Sequence, residues 1–411
     1  MSVKIGVLGC GQFAQSFITL WERHPDVEEL YITDLVPERA RAYAERFPGV
    51  RVVDDFEQLL ASDCDAIAIF TQRWTHGALA SRALRAGKAV YSAVPMAITV
   101  PEIEDIFAAI AETGCLYMMG ETSYYYPAVV FARQKLAEGA FGTIFYAEGD
   151  YLHDMDLGFY DAYRYSGGDD WAATASFPPM LYPTHSIGGI LGVLPSHAVS
   201  VSALGVRDKR DDGVFDRAIS MFDNDVSNAS ALFETADGGA FRTNEFRRVG
   251  YPSHIQESRY RFFGTEGSFE QIATSSVWQD KSSVEDVSDL LRTKAGAEDD
   301  EALSHVSPAL REAFSSGTAR IHDRSLLPAE FTGAPNGHNG SHQYLAHNFV
   351  TALLTGRQPE LNAWKSARIT LPGILAHASV RDGGRRIAIP DFGDAPASEL
   401  VDGADSRKGN A

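Results

Sequence analysis

Two sets of residues in this 411-residue chain stand at spacings that point to chemistry. The first is Gly9-Cys10-Gly11-Gln12-Phe13-Ala14, a G-x-G-x-x-A run, with Asp34 placed 20 residues beyond Ala14. Between a strand and a helix, Gly9 permits the tight turn, Gly11 lets backbone approach a pyrophosphate, and Ala14 lets the helix pack close to a sheet. Gln12 and Phe13 open that helix, whose free N–H groups and positive dipole end favour phosphate. Asp34 would accept hydrogen bonds from the adenosine ribose and repel a 2′-phosphate, which favours NAD over NADP; Arg39 and Arg41 nearby pull the other way. The competing reading is a glycine-rich turn in a nucleotide-free α/β fold. The second set is His338 and His342, four apart near a helix start. No glutamate follows His338, so this is not an H-E-x-x-H zinc site, and loop ordering or a substrate contact is expected rather than metal binding. Cys10, Cys64 and Cys115 form no C-x-x-C or metal pattern; three scattered cysteines suit a reducing cytoplasm.

The elements that must position the glycine motif are legible. Residues 3–9 read as a buried strand and Phe13–Arg23 as an amphipathic helix. Glu29–Thr33 is a second strand ending at Asp34, and Pro37 opens a helix at a first-turn position. Strands at Val50–Val53, Ala66–Phe70, Ala89–Ser92 and Cys115–Met119 then alternate with helices near Phe56–Ala61, His76–Ala86 and Val100–Thr113. This rhythm predicts an α/β domain with a parallel, doubly wound sheet of the Rossmann type over residues 1–123. After Ser123 the strand-like runs Ile144–Tyr151, Ala198–Ala203, Ala229–Glu234, Gly239–Phe246 and Tyr260–Gly264 lack a helix between each pair. Residues 124–393 are therefore expected to form an α+β domain around an open, mainly antiparallel sheet, closed by helices near Gln343–Leu354 and Trp364–Arg381. Tyr124-Tyr125-Tyr126 reads as packing at the junction. Residues 280–335, with the acidic Glu298–Glu301, read as a solvated surface excursion, and 394–411 as a flexible tail.

Composition narrows the classes. Apolar residues at 45% and charged residues at 22% exclude a mostly disordered chain, a collagen-like fibre and a small disulfide scaffold. No apolar run reaches the ~18 residues that span a bilayer, and the N-terminus lacks the basic and long apolar regions of a signal peptide, so a cytoplasmic location is expected. A formal net charge of −19 makes nucleic acid and anionic membranes poor partners. A small anion in a cleft is still admissible, because a few local arginines outweigh a distant field.

With its nucleotide half joined to an open-sheet half, the chain resembles the Gfo/Idh/MocA family, named for glucose–fructose oxidoreductase and inositol dehydrogenase, as far as about Gly393. Thr71-Gln72-Arg73-Trp74-Thr75-His76 follows the fourth strand in the place of that family's T-P-x-x-x-H segment. The resemblance implies cofactor contacts at Thr71, Trp74 and His76, and at Ala93, Val94 and Pro95 after the fifth strand. One departure is informative. Ordinary dehydrogenases of the family carry Glu-Lys-Pro there, and the lysine moves a proton from the sugar hydroxyl. Here Val94 stands in its place and moves none. Leu181 likewise occupies the aspartate position of the usual Asp-x-x-x-His, while His185 remains.

One branch of the family shares Val-Pro with Tyr-Pro-Thr-His and Gly-His-x-Gly: the NAD-dependent glycoside hydrolases, best known as α-N-acetylgalactosaminidases. Matching segments are Tyr182-Pro183-Thr184-His185, Gly120-Glu121, Tyr151-Leu152-His153-Asp154 and Gly337-His338-Asn339-Gly340. The branch implies transient oxidation at sugar C3, loss of the acidified C2 proton, elimination of the aglycone, addition of water and re-reduction. By motif match, Tyr151 is the C2 base, given a cation to lower its pKa, and His185 serves the C3 hydroxyl. Glu121 is placed near the nicotinamide, and His153 and Tyr251 are further candidates. A strand-packing role for Tyr151 and a core role for His185 are the competing readings.

Substrate contacts are expected from Arg164, Tyr165 and Trp171 in the segment Asp161–Trp171, and from Tyr182, Arg248 and His338. Aromatic faces suit sugar rings, and Arg164 or Arg248 would clamp an anion, which suggests an anionic hexoside such as a sulfoquinovoside. The alternatives are a conventional NAD-dependent sugar dehydrogenase with relocated proton groups and a non-enzymatic nucleotide-binding scaffold. By resemblance the protein is a homodimer or homotetramer with a small-molecule glycoside as partner.

Overall fold

Short apolar segments followed by helices make the first half. The computed structural model describes residues 2–250, 257–295, 316–334 and 336–396. Strands β1 (Val3–Leu8), β2 (Val27–Thr33), β3 (Val50–Val52), β4 (Ala66–Ile69), β5 (Ala89–Ser92) and β6 (Tyr117–Met119) pair in the order β3-β2-β1-β4-β5-β6, and every pairing is parallel. β4 and β5 are buried at every residue, as a sheet covered on both faces requires. Helices α1 (Gln12–Arg23), α2 (Pro37–Arg46), α3 (Phe56–Ala61), α4 (His76–Arg85) and α5 (Val100–Thr113) supply the cover. α5 starts on a reciprocal cap between Thr99 and Glu102, with proline in its first turn. The strand order reverses between β1 and β4, where a crevice opens beyond their carboxyl ends.

The second sheet has nine strands. After α6 (Pro127–Ala137) come β7 (Ile144–Leu152), α7 (Tyr160–Gly167), α8 (Trp171–Ala175) and α9 (Thr184–Leu191). Then follow β8 (Ala198–Arg207), β9 (Val226–Thr235), β10 (Ala240–Phe246), β11 (Ser258–Gly264), β12 (Gly267–Gln271), β13 (Ser276–Asp280) and β14 (Val284–Asp286). The order is β14-β13-β12-β11-β7-β10-β9-β8, with Ile387–Ala388 as the last edge. All pairings are antiparallel except β7 with β10. Burial alternates along β9 and β11, so one face meets the core. On the opposite side Leu204, Val206 and Leu232 are exposed.

α9 lies against the covered face and approaches it closely. A Cβ on Gly189 would come within 2.1 Å of the Tyr260 ring, and one on Gly188 within 2.6 Å of Glu121 Cγ. These two glycines fix the depth of the helix whose first turn carries His185.

The helix His342–Thr355 packs on α1 of the nucleotide half: Trp21 Nε1 donates to Ala346 O at 3.2 Å, and Phe349 lies against Trp21 and Tyr91. The reading of 280–335 as a solvated excursion needs correction. Its described parts include β14, a turn that buries Leu291, and a segment that buries Leu327, Phe331 and Ala334. Gln343 donates to the carbonyls of Phe331 and Ala334 at 3.2 and 2.9 Å, so sparse apolar residues in polar sequence are drawn into the core by the helix beside them. Glu298–Glu301, Tyr251 and most of the tail after Gly393 lie outside the described residues. Among the described residues no helix is long and apolar enough to cross a membrane.

Candidate active site

The glycine motif forms the expected turn. Gly9 has φ +93°, a left-handed conformation, and a Cβ there would lie 2.8 Å from Phe70 O, so only glycine fits. Gly11 caps α1 without a side-chain cap, and the space beside its Cα is open for 4 Å. Asp34 accepts from Cys10 N at 2.7 Å and from Val36 N at 2.8 Å, which orients the carboxylate while leaving lone pairs for ribose hydroxyls. Arg39 stands 3.7 Å from Asp34; its Nη2 donates to Tyr165 O at 2.8 Å and its guanidinium covers the Tyr165 ring at 4.2 Å. His76 lies within hydrogen-bond distance of Pro95 O (2.8 Å) and Thr71 O (3.1 Å), tying the turn after β4 to the cis Val94–Pro95 turn after β5. The cleft over these residues has a volume of about 800 Å³ and runs from Asp34, Asp54 and Phe56 past Gly9, Gly11, Gln12 and Phe13 to Thr71, Ala93 and Val94. An uncapped helix start, an open glycine and a ribose-reading carboxylate along one groove fit a dinucleotide.

Beyond Val94 the cleft is walled by the second half. Tyr151 comes from the end of β7 and His185 from the first turn of α9; their rings meet edge-on at 4.8 Å. Glu121 lies behind His185, fully buried, and does not line the cleft. Its Oε1 accepts from Ser123 N at 2.9 Å and stands 2.8 Å from His185 Nδ1. Burial pushes the Glu121 carboxyl up, but His185 and Ser123 outweigh it and hold it below the usual glutamate range. A carboxylate at Nδ1 favours a proton on that nitrogen, and in the neutral ring this leaves Nε2 to accept, facing the Tyr182 hydroxyl at 3.2 Å. Glu121 is thus a positioning residue, where the sequence reading put it beside the nicotinamide.

The other groups divide by charge. Burial, with Tyr182 and Glu257 nearby, pushes the Tyr151 phenol well above its ordinary pKa; Arg247, 4.9 Å from the ring, opposes this without cancelling it. The cation expected to activate Tyr151 is present, but Arg247 also binds Glu245 at 2.9 Å. His153 stacks on Phe159 at 3.9 Å, and burial and Arg247 push its pKa down to about 3, so it is neutral near pH 7. His338 lines the cleft with its ring 5.3 Å from Phe13 and 6.4 Å from His185; it holds φ +47° and lies 2.9 Å from His342. A left-handed backbone at a non-glycine residue is strained and is held here by the surrounding contacts. Among the described residues no group of three or more histidine, cysteine or acidic side chains could hold a metal ion.

Several sequence assignments need correction. Trp74 turns away from the cleft and packs on Phe177 and Phe222. Pro95 holds His76 through its carbonyl and does not line the cleft. Arg164 and Trp171 lie outside it as well: Arg164 is exposed, 3.5 Å from Asp161, and covers the Tyr160 and Trp171 rings. The cause is helical phase. Phe159, Ala162, Tyr163 and Ser166 form the inward stripe, and Arg164 falls on the outer face. Arg248 is occupied by Asp208 at 3.1 Å, Asp212 at 2.9 Å and the Tyr160 hydroxyl. Tyr165 does line the cleft, at the Arg39 rim, while Tyr182 and His338 are central. Of the cleft residues that the sequence reading did not single out, two carry charge beside the proton-bearing groups. Arg73 sits inside the quoted turn but gave no sign of facing inward. Glu257 borders β11, where its carbonyl accepts from Leu152 N at 3.0 Å. Burial, partly offset by Arg247, pushes the Glu257 carboxyl up to about 7, and it stands 3.7 Å from His153 Nε2.

Fold and cleft together define a dinucleotide-binding protein with a second, site-completing half. Residues 3–121, under a third of the chain, match the Gfo/Idh/MocA family model, described as an oxidoreductase family with an NAD-binding Rossmann fold. The likeness to curated relatives runs further. A protein of Streptomyces niveus named glycosyl hydrolase family 109 protein is 24% identical over 99% of this chain and 81% of its own length. One of the same name from Porphyromonas gingivalis is 22% identical over 95% of this chain and 84% of its own. Among solved structures, a levoglucosan dehydrogenase in complex with NADH and levoglucosan superposes with a TM-score of 0.70 at 17% identity, covering 95% of this chain and all (100%) of its own.

Proposed function

We propose that the protein is an NAD-dependent glycoside hydrolase that works by transient oxidation at C3 and elimination across C1–C2 of an anionic hexoside such as a sulfoquinovoside. The observation that carries the reading is the distribution of proton carriers. Val94 lines the cleft where a dehydrogenase lysine would stand, while His185, Tyr151 and Glu257 face the same space from the other half. Bound NAD would accept a hydride, return it later in the turnover, and favour ionised groups beside its positive ring. His185 Nε2, held as an acceptor by Glu121, takes the proton of the C3 hydroxyl. The ketone acidifies C2–H; Tyr151, which must first lose its own proton in the oxidised-cofactor complex with Arg247 beside its ring, then takes the C2 proton, and the C1–O bond breaks. Glu257, with a carboxyl titrating at about 7, gives a proton to the leaving oxygen. Water then adds at C1 as C2 is reprotonated.

The names of the glycosyl hydrolase relatives support this reading. The His185–Glu121 pair alone would also serve a sugar dehydrogenase, which is the second reading. Aryl glycosides, including a sulfoquinovoside and an N-acetylgalactosaminide, incubated in D₂O with purified protein and trace NAD, separate the two. Aglycone release with deuterium at C2 and no net NADH is expected. NADH accumulation with free sugars and no aglycone would return the protein to the dehydrogenases. We also propose a homodimer or homotetramer formed through the exposed Leu204, Val206 and Leu232 face, which sedimentation of the wild type and of Leu232→Lys would test.

A further inference from the structure

Arg73 is the cation that the cleft leaves unbalanced. It lies in the short turn Arg73–Thr75 after β4 and lines the cleft. Its guanidinium sits 4.3 Å over the Tyr182 ring and 5.4 to 5.7 Å from the rings of Phe159, Tyr163 and Phe177. Nη1 donates to the Tyr163 hydroxyl at 2.6 Å. Among the described residues no carboxylate stands within ion-pair distance of it, whereas Arg247 has Glu245 and Arg248 has Asp208 and Asp212. A guanidinium carries five N–H donors, and tyrosine hydroxyls neutralise none of its charge. Arg73 is half-buried at the cleft wall, so aromatic faces and water share its solvation, and an arriving anion would supply the counter-charge that the described residues around it do not. Arg73 and Arg247 also border one small cavity of about 10 Å³, room for about one water or one anion oxygen.

The position relative to the proton carriers matters as much as the charge. Tyr182 separates the two functions: Arg73 lies over its ring, and its hydroxyl reaches His185 Nε2. For a pyranose with its C3 hydroxyl at His185, an anion at C6 would meet Arg73 if the C5–C6 edge of the ring were turned past Tyr182.

Resting on the glycosidase reading above, we infer that Arg73 is the specificity residue of the cleft and binds a sulfonate or carboxylate at C6 of a hexopyranoside. The planar fork of the guanidinium suits two oxygens of one anion, and the neighbouring rings would shield that contact on one side. This assigns the anion contact to a residue of the nucleotide half, in place of Arg164 and Arg248.

Binding is read apart from turnover. The NAD-loaded protein is titrated calorimetrically with sulfoquinovose, glucuronate and glucose, and the corresponding aryl glycosides are assayed in parallel. At least one anionic sugar is expected to bind on the order of 100-fold more tightly than glucose; which one separates sulfonate from carboxylate. Arg73→Gln is expected to shrink that preference to about threefold or less while glucose binding changes little, and Arg73→Lys, which keeps the charge, to retain part of it. A wild-type protein that binds the three sugars equally, or an Arg73→Gln variant that keeps the preference, overturns the inference. An Arg73-dependent anion preference without aglycone release keeps Arg73 in its role and removes the glycosidase reading instead. Melting temperature and NAD affinity establish that the variants are folded, and the wild-type comparison stands without any variant.

Discussion

At the scale of single residues the cleft gathers titratable side chains whose states are set by their neighbours. Glu121 touches no ligand position, yet it decides which nitrogen of His185 is free. Glu121→Gln keeps the shape and removes the charge; kcat is expected to fall about 100-fold or more with little change in KM, by analogy with amide replacement of a histidine-orienting carboxylate. A merely structural role would lower the melting temperature without splitting kcat from KM. Glu257 gives a pH prediction. Its carboxyl must be protonated to serve the leaving group, and it titrates at about 7, so activity is lost as pH rises through that value. Glu257→Gln should flatten this alkaline limb, and an unchanged limb would assign it to another group. The residue scale was also the least legible in the sequence. Tyr151, His185 and His338 do line the cleft, and motifs carry all three in the sequence. Arg73 and Trp74 are neighbours in one short turn, and only the packing of Trp74 on Phe177 and Phe222 reveals that the arginine is the one facing the cleft.

At the scale of elements, the parallel half could be read almost to its ends. Its central strands β4 and β5 are continuous apolar runs flanked by helices, and β5 and α5 fall where the sequence places them, because burial on both faces leaves a strong local signature. The second sheet was harder. β12 and β13 are short and alternate in burial, β14 is three exposed residues, and β7 with β10 is parallel, a pairing set by long connections that local pattern does not encode. The outward phase of Arg164 on α7 was missed for a related reason: an eight-residue helix gives too few repeats to fix its face. α9 supplies the prediction at this scale. Gly189→Ala would drive a methyl into the Tyr260 ring, so the helix must lift. A stability loss of about 1–3 kcal/mol is expected, with a larger loss of activity than the melting temperature explains, because His185 lifts with it. Equal losses in both would mean that the depth of α9 is not what sets the site.

At the scale of the whole molecule, neither half holds a complete site. The nucleotide half brings the phosphate-binding turn, Asp34 and Arg73; the other brings Tyr151, His185 and Glu257; the helix His342–Thr355 and the turn before it return from the far end of the chain to lie against α1. Arg39 and Tyr165 join the halves at the outer rim. Arg39→Ala should raise the NAD dissociation rate about tenfold, the expected loss of one charge-assisted hydrogen bond with its ring contact. Stopped-flow fluorescence of cofactor release would measure it, and an unchanged rate would make the contact incidental.

That bridge has a consequence for how the protein would meet its surroundings. On the proposed mechanism the cofactor ends each cycle in the oxidation state in which it began and need not leave, and a strap across the rim would make leaving slow. Turnover would then be buffered against swings in the redox balance of the surrounding nucleotide pool. The slow event would become the occasional escape of a cofactor stranded in its reduced form. Arg39 would set how long such a molecule stays out of service, acting as a timer for recovery instead of a participant in the reaction.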